Sequence, residues 1–543
     1  MPNPASQVVF DYHERTKHHL QRYARSPGTM DWANQPNPFR LFSGTRRTAL
    51  PLPNKDSDRG HFALYDRSQT KLRPLCLETV STLMALSMGL SAWKSSGESR
   101  WALRMNPSSG NLHPTEAYLV FAPATDLPPG VHHYAPFLHA LETRIVPGND
   151  AWKILEGHFP DNGFFVSLTS IFWRESWKYG ERALRYCYLD TGHALAAVSV
   201  AAGLLGWRVS LLEGVAAPDI CRLLGLNRTR FPEWESEHPD LLCRIHPVHS
   251  DEPRHDLPED FLAAVDAAPV IGTPEPLSPH HVNWEIITDT AARIETAAAI
   301  AMPQPLPEGR PQHRNPSSLS AAAIIRRRRS ATAFNPDHRL EKRRFLDILD
   351  KTLPVSKSPV FDVRAGRPNV HLLVFVHRVA DLPPGLFLLC RWAEDLPALK
   401  NDMGAGFQWA PADDRLPLYR LSEEDVRADA IQASCHQDIA GFSTFSLGML
   451  ANFKDPVTAN PAAYRQLFRE CGMIGQVLYL EAEAQGLRGT GIGCFFDNVV
   501  HELAGLKSNR FQSLYHFTIG APVTDSRIAT LPAYHHLKPP ATG

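Results

Sequence analysis

The amino-acid sequence predicts an α+β protein built from two similar parts, and three observations lead to this prediction. Both parts mix apolar runs at helical spacing with short strand-like runs, and the order lacks the strict alternation of a doubly wound sheet. Asp-Gly hairpin signals and evenly spaced short strands are lacking, which disfavours an all-β fold. At about 150 residues per domain, the 543 residues allow three or four domains, or fewer large ones.

Two pairs of segments recur in the same order in the two parts. Residues 117–130 and 371–385 each contain an apolar run followed by DLPPG, which indicates a strand and a turn. Residues 192–226 align without a gap with residues 472–506, at a constant offset of 280. Both copies predict a long helix, a glycine break, a strand and a short helix. We therefore interpret the two parts as distant repeats.

A proline-rich stretch separates the two repeats. Residues 268–320 hold nine of the 46 prolines, and within them the segment from Trp284 to Ile300 has helical apolar spacing. The predicted organisation is a first domain at 1–267, a linker with one short helix at 268–320, and a second domain at 321–543.

Charge and cysteine content narrow the classes of function. The 56 Lys and Arg residues and the 57 Asp and Glu residues give a net charge of −1, which disfavours non-specific binding to nucleic acid or an anionic membrane. The N-terminus shows no signal-peptide pattern, and the longest weakly polar stretch, residues 194–207, is too short to span a bilayer. The eight cysteines form no C-x-x-C pair, and the histidines lack metal-site spacing. We therefore expect a cytoplasmic protein with no nucleic-acid, membrane or metal partner.

Two segments are rich in groups that bind anions or acceptor-rich ligands. Residues 104–118, RMNPSSGNLHPTEAY, predict a hydroxyl-rich turn before a strand, and a plain surface turn is the alternative. Residues 326–334, RRRRSATAF, place four arginines before a serine, a pattern suited to a phosphate group. A solvated basic run is the alternative for this second segment.

Two further segments suggest a redox or proton-transfer site. In residues 486–498, GLRGTGIGCFFDN, glycines alternate along a strand, which often marks the close approach of a ligand or of another backbone. The pattern differs from G-x-G-x-x-G and follows no strand, so a dinucleotide site fits poorly. In residues 172–188, FWRESWKYGERALRYCY, burial and the neighbouring Arg182 and Arg185 would lower the pKa of Lys178 and make it a base. A snorkelling lysine on an amphipathic helix is the alternative.

Together these segments resemble the nitroreductase-like flavoprotein superfamily, and within it the SagB/ThcOx-type dehydrogenases, which are thiazoline and oxazoline oxidases. The stretches that carry the resemblance are, in chain order, YHERTKHH, PSSGNLHPTEAYLV, WKYGERALRYCYLDTGH, RRRRSATAF, GLRGTGIGCFFDN and LYHFTIGAPVTDSR. The resemblance implies two tandem nitroreductase-like domains that form an intrachain pseudo-dimer and bind FMN non-covalently. Simple members of the superfamily are homodimers that bind the flavin at the subunit interface.

In this chain the segments that would hold the flavin are divided between the two halves. The proline-serine turn occurs only in the first half, and the arginine-serine and glycine segments occur only in the second. The resemblance therefore implies one complete FMN site across the halves. The mirror-related site, which lacks the glycines, should be empty.

The resemblance also assigns roles to particular residues. Arg328 and Ser330 should meet the FMN phosphate or ribityl chain, with Arg329 and Arg527 as helpers. The family often has a basic residue where this chain has Thr332, so phosphate affinity would depend more on the other arginines.

The isoalloxazine ring and the substrate would meet a second set of residues. The residues expected to border the ring or the ribityl chain are Pro107, Ser108, Ser109 and Asn111. The strand containing Gly489, Gly491, Ile492 and Gly493 should approach the flavin closely, with a backbone N–H near Gly491 facing flavin N5. Lys178 would act as base toward a substrate C–H, and Tyr179 would orient the substrate or relay the proton.

The function that the resemblance implies is that of an FMN-dependent dehydrogenase. It would oxidise an azoline-type or other small or peptidic substrate by hydride transfer to flavin N5, and oxygen would reoxidise the flavin. Two alternatives stay open: an NAD(P)H-dependent nitro- or quinone reductase, and a degenerate pseudo-dimer that binds peptides without catalysis. The identity of the substrate and a further homodimer of two chains also stay open.

Overall fold

The computed structural model of this chain describes residues 3–53, 56–124, 126–295, 305–309, 314–364 and 366–537. The helices of the first half are α1 (Pro4–Arg15), α2 (Leu77–Ser87), α3 (Asn149–His158), α4 (Phe172–Tyr179), α5 (Ala183–Leu204), α6 (Ala217–Leu224), α7 (Glu259–Ala267) and α8 (Glu285–Glu295). Its strands are β1 (Phe42–Ser43), β2 (Arg47–Ala49), β3 (Leu90–Ser96), β4 (Ser99–Arg104), β5 (Thr115–Phe121), β6 (Gly130–Ala135), β7 (Ala140–Ile145), β8 (Phe164–Ser170), β9 (Trp207–Leu211), β10 (His238–Pro247) and β11 (Thr273–Pro274).

The second half repeats this mixture of elements. Its helices are α9 (Ala321–Arg327), α10 (Lys342–Asp350), α11 (Leu396–Asp402), α12 (Arg427–Ala433), α13 (Ile439–Phe442), α14 (Lys454–Ala459), α15 (Ala463–Ala484) and α16 (Asp497–Leu503). Its strands are β12 (Val370–Val376), β13 (Gly385–Leu389), β14 (Ala410–Pro411), β15 (Leu418–Arg420), β16 (Phe445–Asn452), β17 (Arg488–Ile492), β18 (Phe511–Gly520) and β19 (Ala529–Leu531).

Each half is organised around a seven-stranded antiparallel sheet, so the predicted mixture of helices and strands is confirmed. The orders are β2-β7-β6-β5-β8-β10-β9 and β14-β15-β13-β12-β16-β18-β17. Six of the seven strands occupy the same places in the same chain order. The remaining edge strand differs in origin, because β2 precedes the other six along the chain whereas β14 lies between β13 and β15.

The two segments that recur in the sequence form the same local structures. Residues 117–130 and 371–385 each give a buried strand, a DLPPG turn and the start of the next antiparallel strand. The aligned segments each give a 22-residue helix, a left-handed glycine, a terminal strand of the sheet and a short helix. The glycines are Gly206 (φ +80°) and Gly486 (φ +70°).

The long helices α5 and α15 pack against each other at a pair of glycines. A Cβ added to Gly192 would lie 2.1 Å from the carbonyl oxygen of Arg469, and one added to Gly472 would lie 2.1 Å from that of Leu189. Both pairs differ by the same 280 residues as the aligned segments. The two helices thus cross symmetrically, and only glycine permits this close approach.

The chain termini cross over to the opposite halves. In α1, Phe10 packs edge-on against Phe453, with ring centroids 5.9 Å apart. At the other end, β19 pairs with β3 and completes a three-stranded sheet with β4. Each half is therefore covered by a segment from the far end of the chain.

The proline-rich stretch contacts both halves over its described part: residues 273–278 pack against the first half, whereas Pro307 and Asn315 bind Ser356 and Asp347 of the second half. Strand β11 pairs with β1, and the backbone N–H groups of Leu277 and Ser278 donate to the carboxylate of Glu235. The predicted helix forms as α8, and the predicted positions 296–300 lie outside the described residues. Among the described residues, none of the helices combines the length and the apolar character that a membrane span requires.

Candidate active site

A cavity of about 640 Å³ lies between the two halves. Of the predicted site residues, those that line it are Pro107, Ser108, Ser109, Asn111, Tyr179, Arg328, Arg329, Ser330, Gly491, Ile492 and Gly493. Lys94 of β3, Trp101 and Leu103 of β4, and five residues near the C-terminus contribute to the wall as well; the five are Val523, Thr524, Asp525, Ile528 and Thr530. The cavity therefore brings together residues that are more than 400 positions apart in the sequence.

The turn at Pro107 is stabilised by its own polar side chains. The Ser108 hydroxyl accepts from the backbone N–H of His113 at 2.8 Å, and the Asn111 amide donates to the carbonyl of Ala102 at 2.9 Å. Gly110, Asn111 and His113 have φ values of 58°, 60° and 53°. The serine and asparagine side chains thus maintain a turn of left-handed residues at the cavity wall.

Asp190 in α5 anchors this turn and was not predicted as a site residue. Its carboxyl accepts from the backbone N–H of Ser109 at 3.0 Å and from the hydroxyl of the same residue at 2.9 Å. Burial raises the pKa of Asp190 to about 7. This carboxyl can therefore exchange a proton near neutral pH at the cavity wall.

The arginine-serine segment lies on the opposite side of the cavity. Arg328 is 4% exposed, its guanidinium donates to the carbonyl of Arg104 at 3.0 Å, and its buried Nε has no partner. Arg329 donates to the carbonyl of Ser91 at 3.1 Å. The segment also pairs with the glycine strand, since the N–H of Ala331 donates to the carbonyl of Gly489 at 3.1 Å.

Positive charge accumulates at this end of the cavity. Burial, together with the charges of Arg328 and Arg488, lowers the pKa of Arg329 to about 10. Burial and the charges of Arg329 and Arg488 also lower the pKa of Lys94. Within the described part of the chain, none of these four cations forms an ion pair with a carboxylate. We refer to Lys94, Arg328, Arg329 and Arg488 as the cation cluster, which was predicted only in its two central arginines.

Arg527 does not reach the cavity, contrary to its expected role as a helper at the phosphate. Its side chain is 83% exposed and binds Asp525 at 2.7 Å. Asp525 itself lines the cavity. Arg527 therefore neutralises a carboxylate at the cavity edge and does not add to the cation cluster.

The alternating glycines of β17 have a different cause from the one expected. A Cβ added to Gly489 would lie 2.5 Å from the ring of Phe517, and one added to Gly491 would lie 1.8 Å from the hydroxyl of Tyr515. At Gly493 the added Cβ would lie 2.1 Å from the ring of Tyr186. Aromatic side chains of the protein, rather than a ligand, require the glycines on this face of the strand. Gly489 itself does not line the cavity.

The hydroxyl of Tyr479 in α15 contacts two polar groups that were expected to face the flavin. Its hydroxyl accepts from the backbone N–H of Gly491 at 3.0 Å and lies 2.9 Å from the hydroxyl of Ser330. The N–H of Gly491 therefore donates within the protein, and the expected contact of a backbone N–H near Gly491 with flavin N5 stays a prediction. The guanidinium of Arg328 lies 5.1 Å from the centre of the Tyr479 ring.

Lys178 and Tyr179 end helix α4 beside the Pro107 turn. A Cβ added to Gly110 would lie 2.7 Å from the Tyr179 hydroxyl and 3.3 Å from Lys178 Nζ. Both polar groups thus converge on the turn, although Lys178 does not line the cavity. Burial raises the pKa of Tyr179 well above its ordinary value, so its hydroxyl stays protonated and can donate.

The two arginines that were expected to act on Lys178 are paired with another residue. Arg182 and Arg185 bind the buried carboxylate of Asp497 at 3.1 and 2.8 Å. The carboxyl of Glu175 lies close to Lys178. Burial, followed by the charge of Asp190, raises the pKa of Glu175. The charge of Lys178 acts on this carboxyl in the opposite direction, and the Glu175 oxygens have no hydrogen-bond partner among the described residues.

Four residues of the cavity wall were not predicted as site residues. Lys94, Asp190, Tyr479 and Arg488 lie outside the recognisable motifs or at positions to which no role was assigned. The sequence did mark Arg488, because this residue matches Arg208 in the alignment of the two halves at an offset of 280. Asp190 lies within the stretch WKYGERALRYCYLDTGH that carries the resemblance, whereas Lys94 and Tyr479 belong to a strand and a helix whose sequences carry no sign of a ligand.

The cavity suits an elongated ligand with an anionic group at one end. The cation cluster and the unpartnered Nε of Arg328 favour a phosphate there. Arg488 and residues 490–492 of β17 line the cavity, and the wall continues to Cys494. At about 3.3 Å per residue, this wall extends up to roughly 20 Å from the cluster. These features fit FMN, with its phosphate at the cation cluster.

Comparison with known proteins agrees with this fold. Residues 74–234 match the sequence model of the Nitroreductase family. The chain is similar to a solved structure from Anabaena variabilis, assigned as a nitroreductase, with a TM-score of 0.69 and 21% identity over 95% of this chain and 99% of that one. A search of curated proteins found no match. The family match and the fold indicate an oxidoreductase enzyme with a nitroreductase-like fold.

Other solved structures match only part of the chain. A protein of Ralstonia eutropha assigned as a nitroreductase is 16% identical, with a TM-score of 0.29 over 42% of this chain and 97% of that one. The Escherichia coli microcin synthetase McbBCD complex with truncated pro-MccB17 is 18% identical, with a TM-score of 0.27 over 45% of this chain and 94% of that one.

Proposed function

We propose that this chain is an FMN-dependent dehydrogenase of the SagB/ThcOx type, with two tandem nitroreductase-like domains that form a pseudo-dimer. The observation that carries the proposal is the cavity between the halves, with a cation cluster that forms no ion pair among the described residues at one end and a lysine-tyrosine pair beside its wall. The predicted domains at 1–267 and 321–543, with the linker at 268–320, are part of this proposal.

The pseudo-dimer is supported by the symmetric crossing of α5 and α15 and by the shared order of six strands. It is also supported by the division of the cavity wall. The Pro107 turn and Tyr179 come from the first half, and Arg328, Ser330 and Gly491 come from the second. Neither half would form the cavity alone.

Each end of the cavity has a separate task in this proposal. The cation cluster would bind the phosphate of FMN through charge-assisted hydrogen bonds, and the Pro107 turn and β17 would flank the rest of the cofactor. When bound, FMN would supply the two-electron redox chemistry. The protein's own groups would place a substrate, exclude water and move protons.

Lys178 and Tyr179 would act on the substrate at the Pro107 turn. The amine of Lys178 in its neutral form would accept a proton from a substrate carbon. The protonated hydroxyl of Tyr179 would donate a hydrogen bond that orients the substrate. We propose an azoline-type or other small or peptidic substrate, because removal of a C–H proton beside a heteroatom is the step that this pair can assist.

The test compares Lys178→Ala with the wild type after FMN loading. With a thiazoline-containing peptide, the variant should lose at least a hundredfold in kcat while FMN affinity changes by less than twofold. Lys153→Ala is the matched control, because Lys153 in α3 is 76% exposed and remote from the cavity. Unchanged turnover in Lys178→Ala contradicts the role of this lysine.

Rapid anaerobic bleaching of the flavin by NAD(P)H contradicts the dehydrogenase and favours a nitro- or quinone reductase.

A further inference from the structure

Two cysteines that are distant in the sequence meet at the end of the cavity away from the cation cluster. Cys494 follows β17 and lines the cavity, and Cys435 lies in the turn after α12. Their Sγ atoms are 2.9 Å apart, and both residues are free thiols with partial exposure. A disulfide has an S–S distance of about 2.05 Å, so less than 1 Å of movement separates the two states.

The backbone around the pair has unfavourable dihedral angles and is held by hydrogen bonds from one side chain. Cys435 and the following His436 have φ values of 54° and 57°, which are unfavourable for residues with a side chain. The Gln437 amide donates to the carbonyls of Ser434 and Cys494 at 2.9 and 3.0 Å. One side chain thus ties the turn of the first cysteine to the backbone of the second.

A histidine and an arginine stabilise negative charge on Cys494. The imidazole of His18 lies beside this sulfur, and its Nδ1 accepts from the backbone N–H of Ala24 at 2.9 Å. The contact with Cys435, followed by His18 and the charge of Arg182, lowers the pKa of Cys494 below its ordinary value, whereas the pKa of Cys435 is raised.

This environment differs from that of the other cysteines. Cys187, Cys243, Cys390 and Cys471 are buried, and Cys76 is partly exposed with its Sγ 3.4 Å from the hydroxyl of Thr79. Cys221 is partly exposed, but burial raises its pKa to about 12. Cys494 therefore combines access, a lowered thiol pKa and a neighbouring thiol, which are the properties of a reactive cysteine.

We propose that Cys435 and Cys494 form a thiol–disulfide exchange site that opens into the cavity and takes a low-molecular-weight disulfide as its oxidant. The proposal follows from the contact of the two sulfurs, their partial exposure and the clamped turn, and it is independent of FMN binding.

The reaction proceeds in two exchanges. The Cys494 thiolate attacks one sulfur of the small disulfide, which breaks its S–S bond, forms a mixed disulfide and releases one thiolate. Cys435 then loses its proton to solvent and attacks Cys494 Sγ, which releases the second thiolate. Two protein thiols are oxidised by two electrons, and one small disulfide is reduced to two thiols.

The first experiment uses the full-length wild-type protein and glutathione disulfide in tenfold excess over glutathione. After trapping with an alkylating reagent, peptide mass spectrometry should find a Cys435–Cys494 cross-link, and the other six cysteines should be alkylated as free thiols. Absence of this cross-link, with both cysteines alkylated, overturns the proposal.

The second experiment separates the two roles. Cys435→Ser should accumulate one glutathione on Cys494, because the resolving thiol is missing, and Cys494→Ser should react with glutathione disulfide at least tenfold more slowly at Cys435. An equal rate of adduct formation in the two variants contradicts the assignment of Cys494 as the attacking thiolate. Thermal denaturation of both variants checks that they are folded, and the wild-type cross-link stands if they are not.

A pH profile gives a third readout that a structural thiol pair would not show. The titratable and charged groups around the pair are His18, Tyr23, Tyr179, Arg182, Tyr186 and Asp497. Between pH 8 and pH 6 an ordinary thiol, with a pKa of about 8.5, loses roughly a hundredfold in alkylation rate. Because its pKa is lowered, Cys494 should lose less than tenfold, and a loss like that of an ordinary thiol contradicts the proposal.

Discussion

At the scale of single residues, two arginines show how the same position serves different purposes in the two halves. Arg208 and Arg488 lie in β9 and β17, which are terminal strands of corresponding sheets. Arg208 binds Glu252 and lies 3.9 Å from the carboxylate of Asp362, so its charge is neutralised. Arg488 has no such partner among the described residues and faces the cavity. An unneutralised arginine at a cavity wall favours an anionic ligand.

The first prediction concerns this pair. Arg488→Gln removes one charged donor from the cation cluster and should raise the Kd for FMN at least tenfold, as expected from the loss of a charge-assisted hydrogen bond of about 1.5–3 kcal/mol. Arg208→Gln is the matched control and should change the Kd less than twofold. Fluorescence titration with FMN measures both constants. Equal effects of the two substitutions would contradict a phosphate site at the cation cluster.

The second prediction concerns the buried carboxyl of Asp190. Burial raises its pKa from 3.8 to about 7, so between these values the folded state binds a proton that the unfolded state has released. This contribution to the free energy of unfolding is complete below about pH 4 and is lost as the pH rises through 7. Asp190→Asn does not titrate, and its Tm should therefore rise relative to that of the wild type between pH 5 and pH 8.

Thermal denaturation at the two pH values measures this shift. Asp150→Asn is the control, because the Asp150 side chain is 92% exposed and its pKa is lowered by a hydrogen bond with Lys153. The control should show no relative gain in Tm at pH 8. If Asp190→Asn shows none either, Asp190 is ionised throughout this range.

At the scale of elements, the contact between α5 and α15 depends on two glycines. Each glycine faces a carbonyl oxygen of the other helix, at a distance that leaves no room for a methyl group. The crossing fixes how the two halves meet, because both helices run through the centre of the molecule. The Pro107 turn is anchored by Asp190 of α5, and Tyr479 of α15 contacts Ser330, so the crossing also sets the distance across the cavity.

The third prediction tests this crossing. Gly472→Ala would place Cβ 2.1 Å from the carbonyl oxygen of Leu189, which forces the helices apart and should lower the free energy of unfolding by about 1–3 kcal/mol. Gly203→Ala in α5 is the matched control, since its Cβ would meet nothing closer than 3.8 Å. The control should be neutral or stabilising by up to about 1 kcal/mol, because alanine favours a helix. Denaturant unfolding compares the two, and similar values for both would contradict the tight crossing.

At the scale of the whole molecule, the two sheets are related but the spaces beside their terminal strands differ. Strand β17 borders the cavity, whereas β9 is contacted by another part of the chain. The N–H of Leu211 donates to the carbonyl of Val363 at 2.9 Å, and Asp362 binds Arg67 as well as lying near Arg208. We expect this difference to leave a single cofactor site in each chain.

The fourth prediction is therefore the stoichiometry of the flavin. Equilibrium dialysis with FMN, read by the visible absorbance of the bound flavin, should saturate at one FMN per chain. Two FMN molecules per chain would contradict the single site. No uptake would favour the degenerate peptide-binding alternative.

The sequence alone was sufficient to predict the repeated elements, because the formation of a helix, a strand or a turn depends largely on neighbouring residues. The DLPPG turns and the segments at an offset of 280 formed as predicted, and residues 106–111 and 328–332 line the same cavity. These features depend on local spacing and on turn residues, which a single sequence displays.

Only the tertiary structure decided which groups are free to act. It showed that the glycines of β17 accommodate aromatic side chains, that Arg527 pairs with Asp525, and that Arg182 and Arg185 bind Asp497. It also brought Cys435 to Cys494, and Lys94 close to Arg488. Charge, burial and hydrogen-bond satisfaction depend on neighbours from distant parts of the chain, and no local pattern in the sequence records them.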